Sequence, residues 1–161
     1  MKISIPGSLT SEHRELHGEL VRIIDEGGKT GAAAKAVAKI LHPHFLKEEE
    51  YALPPLGLLA SVGKGKVSAK MEGVLVMTEK LKKDLPKMLK EHSAVIGGLK
   101  KLIAEAKREK RHDAVHFAKK LTLHAKTEEE VLYPAAILIG EYLKLQKKKT
   151  GGLGAKRRGY L

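Results

Sequence analysis

The phrase HFLKEEEYALP, residues 44–54, returns as HAKTEEEVLYP, residues 124–134. Both copies carry a histidine, a glutamate four residues later inside a run of three, and a proline ten residues after the histidine. A second pair of segments matches at nearly the same offset: EHRELHGEL at 12–20 lines up with EHSAVIGGL at 91–99. The offset is 80 residues between His44 and His124 and 79 between His13 and His92. The chain therefore reads as two helical hairpins of one design, each supplying a lone histidine and then a His-x-x-x-Glu pair.

Apolar residues at three- and four-residue steps predict four helices. The first opens near Ser8 to Ser11, whose hydroxyls suit a cap, and stops at Gly27-Gly28. Its stripe is Leu9, Leu16, Leu20, Ile23 and Ile24, with His13 inside it. The second is expected after Gly31 and up to Pro54-Pro55, kinked at Pro43. Val37, Ile40, Leu41, His44, Glu48 and Tyr51 share its inner face. A short piece and a glycine-rich link follow in PPLGLLASVGKGK (54–66). The third helix proper is expected after Pro86, residues 67–85 being helical in composition but open in assignment. Leu85, Met88, Leu89, Val95, Leu99, Leu102 and Ile103 mark its stripe around His92. The fourth is expected from Asp113, a plausible cap, with Phe117, Leu121, Val131, Leu132 and Ala135 inward and His124 and Glu128 between them. The expected architecture is all-α, an up-and-down antiparallel four-helix bundle with a pseudo-twofold internal repeat.

Two carboxylates and four imidazoles at one depth in apolar stripes need a common partner, because an isolated buried charge is strongly unfavourable. Residues four apart on a helix lie on one face with Cβ atoms roughly 5–6 Å apart, so each His-x-x-x-Glu pair can offer nitrogen and oxygen to neighbouring ions. Two bridging glutamates and four histidines would give each of two ions two nitrogens and two oxygens, with coordination positions left open. Iron and manganese suit that mixed set. Tyr51, three after Glu48, points toward the same place, as an amphipathic core residue or as a hydrogen-bond donor beside the metal. His42 is expected to point away from the axis. His112 and His116 fall on the lysine side of the fourth helix, and Glu49, Glu50, Glu129 and Glu130 read as a solvated face.

The totals agree with this picture. Among 161 residues there is no cysteine, which excludes disulfides, iron–sulfur clusters and thiolate zinc sites. Aromatics are 4% with no tryptophan, so aliphatic residues must fill the core. No signal peptide and no membrane span is apparent, and a cytoplasmic location is expected. Of the formal charge of +12, seven units fall after Glu141, on Lys144, Lys147, Lys148, Lys149, Lys156, Arg157 and Arg158. Residues 1–146 are therefore expected to form the bundle and 147–161 a flexible basic tail.

At His13, His44, Glu48, His92, His124 and Glu128 the sequence resembles the hemerythrin family, specifically the HHE cation-binding domain, over about residues 9 to 140. The resemblance implies a non-haem di-iron centre, oxo- or hydroxo-bridged, that meets dioxygen, peroxide or nitric oxide as carrier, sensor or catalase-like scavenger; manganese or zinc is the other option for the metal. The oxygen carriers of that family use a fifth histidine in a His-x-x-x-His on the third helix, where this chain has His92-x-x-x-Ile96. They also place the last acid five residues after its histidine, against four for Glu128, which is preferred here to Glu129 because it repeats the Glu48 spacing. His13-x-x-x-His17 on the first helix offers His17 as a replacement for the missing histidine, the alternative being that four histidines and two glutamates stand alone. Two rival functions remain. One is iron handling or ferroxidase activity, although the Glu-x-x-His signature of ferritin-like bundles is absent. The other is binding of nucleic acid or an anionic surface through the basic tail.

Overall fold

A computed structural model describes residues 3–155 of the chain. The described residues form helices joined by short turns, with no strand among them: α1 (Gly7–Asp25), α2 (Gly28–Lys47), α3 (Leu59–Gly63), α4 (Gly73–Arg108), α5 (His112–Thr127) and α6 (Tyr133–Ala155). One π turn, Glu48–Ala52, prolongs α2, and another, Glu128–Leu132, joins α5 to α6. Short 3₁₀ turns at Pro54–Leu58 and Ala69–Met71 flank α3. The predicted fourth helix is thus α5, the π turn and α6 in one rod.

The ends differ from those predicted. No side chain caps α1; its first free amides, on Leu9 and Thr10, are bound by the carbonyl of Pro6. Asp113 lies inside α5, where it pairs with Arg111 at 3.0–3.1 Å rather than capping. Between α1 and α2 the backbone turns at Gly27 (φ 76°) and Gly28 (φ 69°), values that side-chain-bearing residues rarely adopt. The carboxylate of Glu109, from the far end of α4, then accepts the amides of Lys29 and Thr30 and the Thr30 hydroxyl at 2.6–3.0 Å. A cap absent from the local sequence is supplied from 80 residues away.

Pro86 does not start the third helix. α4 runs unbroken for 36 residues through it. An internal proline costs one backbone hydrogen bond, but the segment before it buries Val74, Thr78 and Leu81, and α4 packs against α6. That burial keeps the helix continuous across an exposed proline. At the same contact, a Cβ on Gly140 would lie 2.7 Å from the Thr78 Cβ, so only glycine allows the approach.

α1 packs on α2 and α5, and α4 packs on α2 and α5, a closed ring of four neighbours compatible with a helical bundle. Two apolar clusters fill it. One holds Leu16, Leu20, Val37, Leu41, Val95, Leu99, Phe117 and Leu121; the other holds Tyr51, Leu53, Leu81, Met88, Tyr133 and Ile139. Along α2, α4 and α5 the histidines fall at the boundary between the clusters. α6 continues to Ala155, so residues 147–155 of the stretch expected as a tail prolong the helix, as their lysines favour. Residues 156–161 lie outside the described residues. Among the described residues no helix is long and apolar enough to cross a membrane.

Candidate metal centre

Both π turns begin at the glutamate of a His-x-x-x-Glu pair. Each is closed by a bond from the fifth residue on: Leu53 N–H donates to Glu48 O, and Tyr133 N–H to Glu128 O. A π turn inserts one extra residue and shifts the following face by about a quarter turn. On the second rod that slip overturns the predicted inner face. Val131 is exposed and Leu132 and Ala135 are only half-buried, while Tyr133, Ala136 and Ile139 are buried.

Six predicted side chains are brought together and buried: His13, His44, Glu48, His92, His124 and Glu128, none more than 5% exposed. They form two groups with nitrogen and carboxylate oxygen atoms within 4.8 Å of one another: His44, Glu48, His92 and Glu128, and His13, His124 and Glu128. Glu128 belongs to both. Its Oε1 lies 2.9 Å from His124 Nε2 and 3.5 Å from His13 Nε2, and its Oε2 lies 3.4 Å from His92 Nε2. Glu48 Oε1 is 3.1 Å from His44 Nε2, and Glu48 Oε2 is 3.6 Å from His13 Nε2. Each carboxylate therefore spans from one histidine pair to the other.

All four histidines point Nε2 inward, and each Nδ1 faces a glutamate. Nδ1 of His44 is 2.7 Å from Glu91, that of His92 2.9 Å from Glu129, that of His124 3.2 Å from Glu12, and that of His13 3.3 Å from Glu49. Such partners fix the ring hydrogen on Nδ1, so each neutral imidazole turns a lone pair toward the centre. This is the tautomer and the outer carboxylate that metal-bound histidines characteristically have.

Without a cation the arrangement is unsatisfied. Nε2 of His44 and Nε2 of His92 face each other at 2.8 Å, two lone pairs with no hydrogen between them unless one ring is protonated. Three buried side-chain polar atoms among the described residues lack a hydrogen-bond partner, and two are here: Glu48 Oε2 and His124 Nε2. The second lies close to Glu128, but the contact does not meet hydrogen-bond geometry. Six donor side chains, two of them with an orphaned inner atom and the four histidines anchored from outside, could hold metal.

Without metal, protons on the imidazoles supply part of the missing positive charge. Burial opposes charge on His13, His44 and His124, yet the neighbouring Glu48 and Glu128 carboxylates outweigh it and raise all three, His124 to about 9. Burial and then the charge of Glu128 push Glu48 up. Burial also opposes the Glu128 anion, but His124, His13 and His92 hold it well below the usual carboxylate range.

Three predicted details differ. His17 belongs to neither group; it is exposed, its ring 6.2 Å from that of His42. Tyr51 is buried, but its hydroxyl donates to Asp84 at 3.0 Å, with Met88 Sδ at 3.8 Å, rather than to the cluster. Glu49 and Glu129 are not simply a solvated face, since each turns to a histidine of the cluster.

Sequence reasoning missed Tyr133, whose hydroxyl donates to Glu48 Oε1 and lies 3.3 Å from Nε2 of both His44 and His92. Burial and the two carboxylates raise its phenol far above its ordinary value, so it keeps the proton. Its only signal was its place before Pro134 in the repeated phrase, where the first copy has Leu53. It also missed Glu12 and Glu91, although the dipeptide Glu-His at 12–13 and 91–92 announced both. Phe45, stacked on His13 at 4.1 Å and 8°, closes the other side of the cluster. Compared with family models, with curated proteins and with solved structures, the chain finds no match in any of the three.

Proposed function

We propose that this chain is a non-haem metalloprotein of hemerythrin type, which holds two iron ions and binds or reacts with dioxygen, peroxide or nitric oxide. In this reading the helices run up and down, and the two sequence repeats are the two halves of the bundle. One observation carries it: four inward imidazole nitrogens, from four helical segments, converge on two buried carboxylates that each reach both histidine pairs. The absence of cysteine and the mixed nitrogen and oxygen donors favour iron over softer ions, with manganese and zinc as the alternatives.

A bound iron pair would supply one-electron redox chemistry and open coordination positions for a small ligand. The chain's own residues define the rest. His44 with His92 and His13 with His124 would hold one ion each, and Glu48 and Glu128 would lie between them and offset their charge. Glu91, Glu129, Glu12 and Glu49 hold the rings in the ligating tautomer. Tyr133 keeps a proton at the Glu48 side, within reach of whatever binds there. The apolar clusters above and below keep bulk water from the polar layer.

The test is anaerobic loading with ferrous iron, removal of loose metal, metal analysis, and visible spectra in air and with added azide and peroxide. Two irons per chain, charge-transfer bands that azide changes, and peroxide consumption are expected. Fewer than one tightly held ion per chain, or full iron with no response to dioxygen, peroxide or nitric oxide, defeats the reading.

A further inference from the structure

The molecule has two grooves at positions that match in the sequence repeat, and their chemistry is opposite. One lies between α1 and α2, about 330 Å³, and is lined by His13, Arg14, His17, His42, Phe45 and Glu49. The other lies between α4 and α5, about 380 Å³, with Lys100, Lys119 and Lys126 in its lining. The repeat offsets place Ile96 where the first groove has His17, and Thr122 where it has His42. Three ammonium groups repel a metal cation; two imidazoles and a carboxylate attract one.

We infer that His17 and His42 form a surface capture site for a divalent metal ion, at the mouth of a route that passes Glu49 to the buried cluster. Both histidines are exposed, and their ring centroids lie 6.2 Å apart. A metal bonds an imidazole nitrogen at about 2.0–2.1 Å, so two rings sharing one ion hold their centroids roughly 5–6 Å apart. The observed separation lies just beyond that range, so rotation of the two exposed side chains would have to bring both rings onto one ion. Glu49 is the next donor inward: its side chain is 44% exposed, yet Oε1 lies 3.3 Å from Nδ1 of the buried His13. One carboxylate thus touches the open groove and the ligand shell together. Arg14 is the one fixed cation in this lining, and it is exposed. Arg14 is offset by Glu49, whereas the sister groove has three lysines and no acid, and a mouth that repels cations less speeds their arrival. Two soft-to-borderline nitrogen donors without a third strong ligand would hold the ion weakly, as a relay requires.

The inference rests on the buried cluster holding metal, and the test separates the two. His17→Ala/His42→Ala, two exposed changes, is compared with wild type and with Lys119→Ala/Lys126→Ala in the sister groove. Ferrous iron is added anaerobically in substoichiometric amounts and uptake followed by stopped flow; final iron content is measured after equilibration. Cobalt titration of the iron-loaded protein reports any additional weak ion. The histidine variant should reach wild-type iron content and melting temperature, load more slowly by at least about tenfold, and lose the additional cobalt. The lysine variant should load no more slowly than wild type. Equal loading rates for wild type and histidine variant, with equal cobalt binding, overturn the capture site while leaving the buried centre intact. A wild-type protein with no tightly held iron overturns both.

Discussion

The hydroxyl of Tyr133 donates to Oε1 of Glu48, a residue 85 positions earlier and on a different helical rod. Both side chains are at most 1% exposed, so their polar ends can be settled only within the cluster, and Glu48 already carries the cost of burial beside Glu128. Tyr133→Phe should therefore lower the stability of the metal-free protein by about 1–2 kcal/mol, the contribution of one buried hydrogen bond to a carboxylate. It should keep the metal but change the visible spectrum and the rate of reaction with peroxide. Tyr51→Phe, which loses only a bond to Asp84, should leave the spectrum unchanged. Chemical denaturation and spectra of both variants check this; a Tyr133→Phe protein indistinguishable from wild type would remove Tyr133 from the site.

Glu48 and Glu128 repel each other when no cation lies between them. Glu48→Gln should stabilise the metal-free protein by on the order of 1 kcal/mol, raising its melting temperature, while sharply weakening metal binding. Glu128→Gln should weaken binding at both histidine pairs and, because Glu128 is held as an anion by three histidines, should not stabilise the metal-free fold. Differential scanning fluorimetry with and without chelator, beside metal analysis, distinguishes the two. Stabilisation by both changes, or by neither, contradicts the assignment.

The outer glutamates act through the rings they hold. Glu91→Ala and Glu129→Ala should each weaken metal binding by about 10–100-fold without removing a ligand. Glu130→Ala, on the exposed face of the same run, should have no effect. Competition against a calibrated chelator gives the affinities.

The pH dependence of the metal-free protein has a definite sign. His13, His44 and His124 titrate above their ordinary value of 6.5 in the folded state. Their contribution is fully present below 6.5 and is lost as the pH rises through the folded values, about 9 for His124. Glu128 works in the opposite direction: held below the ordinary 4.5, it contributes above that value and loses its contribution as the pH falls through its folded value. Melting temperature in chelator should decline from about pH 6 to about pH 9, whereas metal affinity should rise over that range as ligand protons are lost. Stability that climbs between those pH values would contradict the buried imidazolium–carboxylate pairing.

Gly140 sits against Thr78 where α6 meets α4. A Cβ there would lie 2.7 Å from the Cβ of a buried, β-branched side chain that has no room to turn aside. Gly140→Ala should cost about 1–3 kcal/mol of stability and leave metal content unchanged, measured by denaturant titration and metal analysis. Full stability would mean that α4 and α6 separate at no cost.

Much of the site could be read from the chain because its information is local. His44 and Glu48, like His124 and Glu128, meet through helix geometry alone, and their duplication marked them as a set. The lone His13 and His92 were recognisable because each interrupts an otherwise aliphatic stripe. Tyr133 was not recognisable for an equally physical reason: a count at 3.6 residues per turn directs Leu132 inward, and only the π turn at Glu128–Leu132 substitutes its neighbour. Pro86 misled in the same way, since a local rule against proline in helices yields to burial of the segment before it.

By itself the sequence determined an all-helical chain, and which six side chains carry nitrogen and oxygen to one polar layer; apolar period and four-residue spacing are properties of a single helix. Only the tertiary structure decided which glutamate holds which ring, that Tyr133 rather than Tyr51 reaches Glu48, and that His17 faces water beside His42. Those relationships join residues far apart in sequence or depend on one inserted residue in a turn. Packing, which no local pattern encodes, set them.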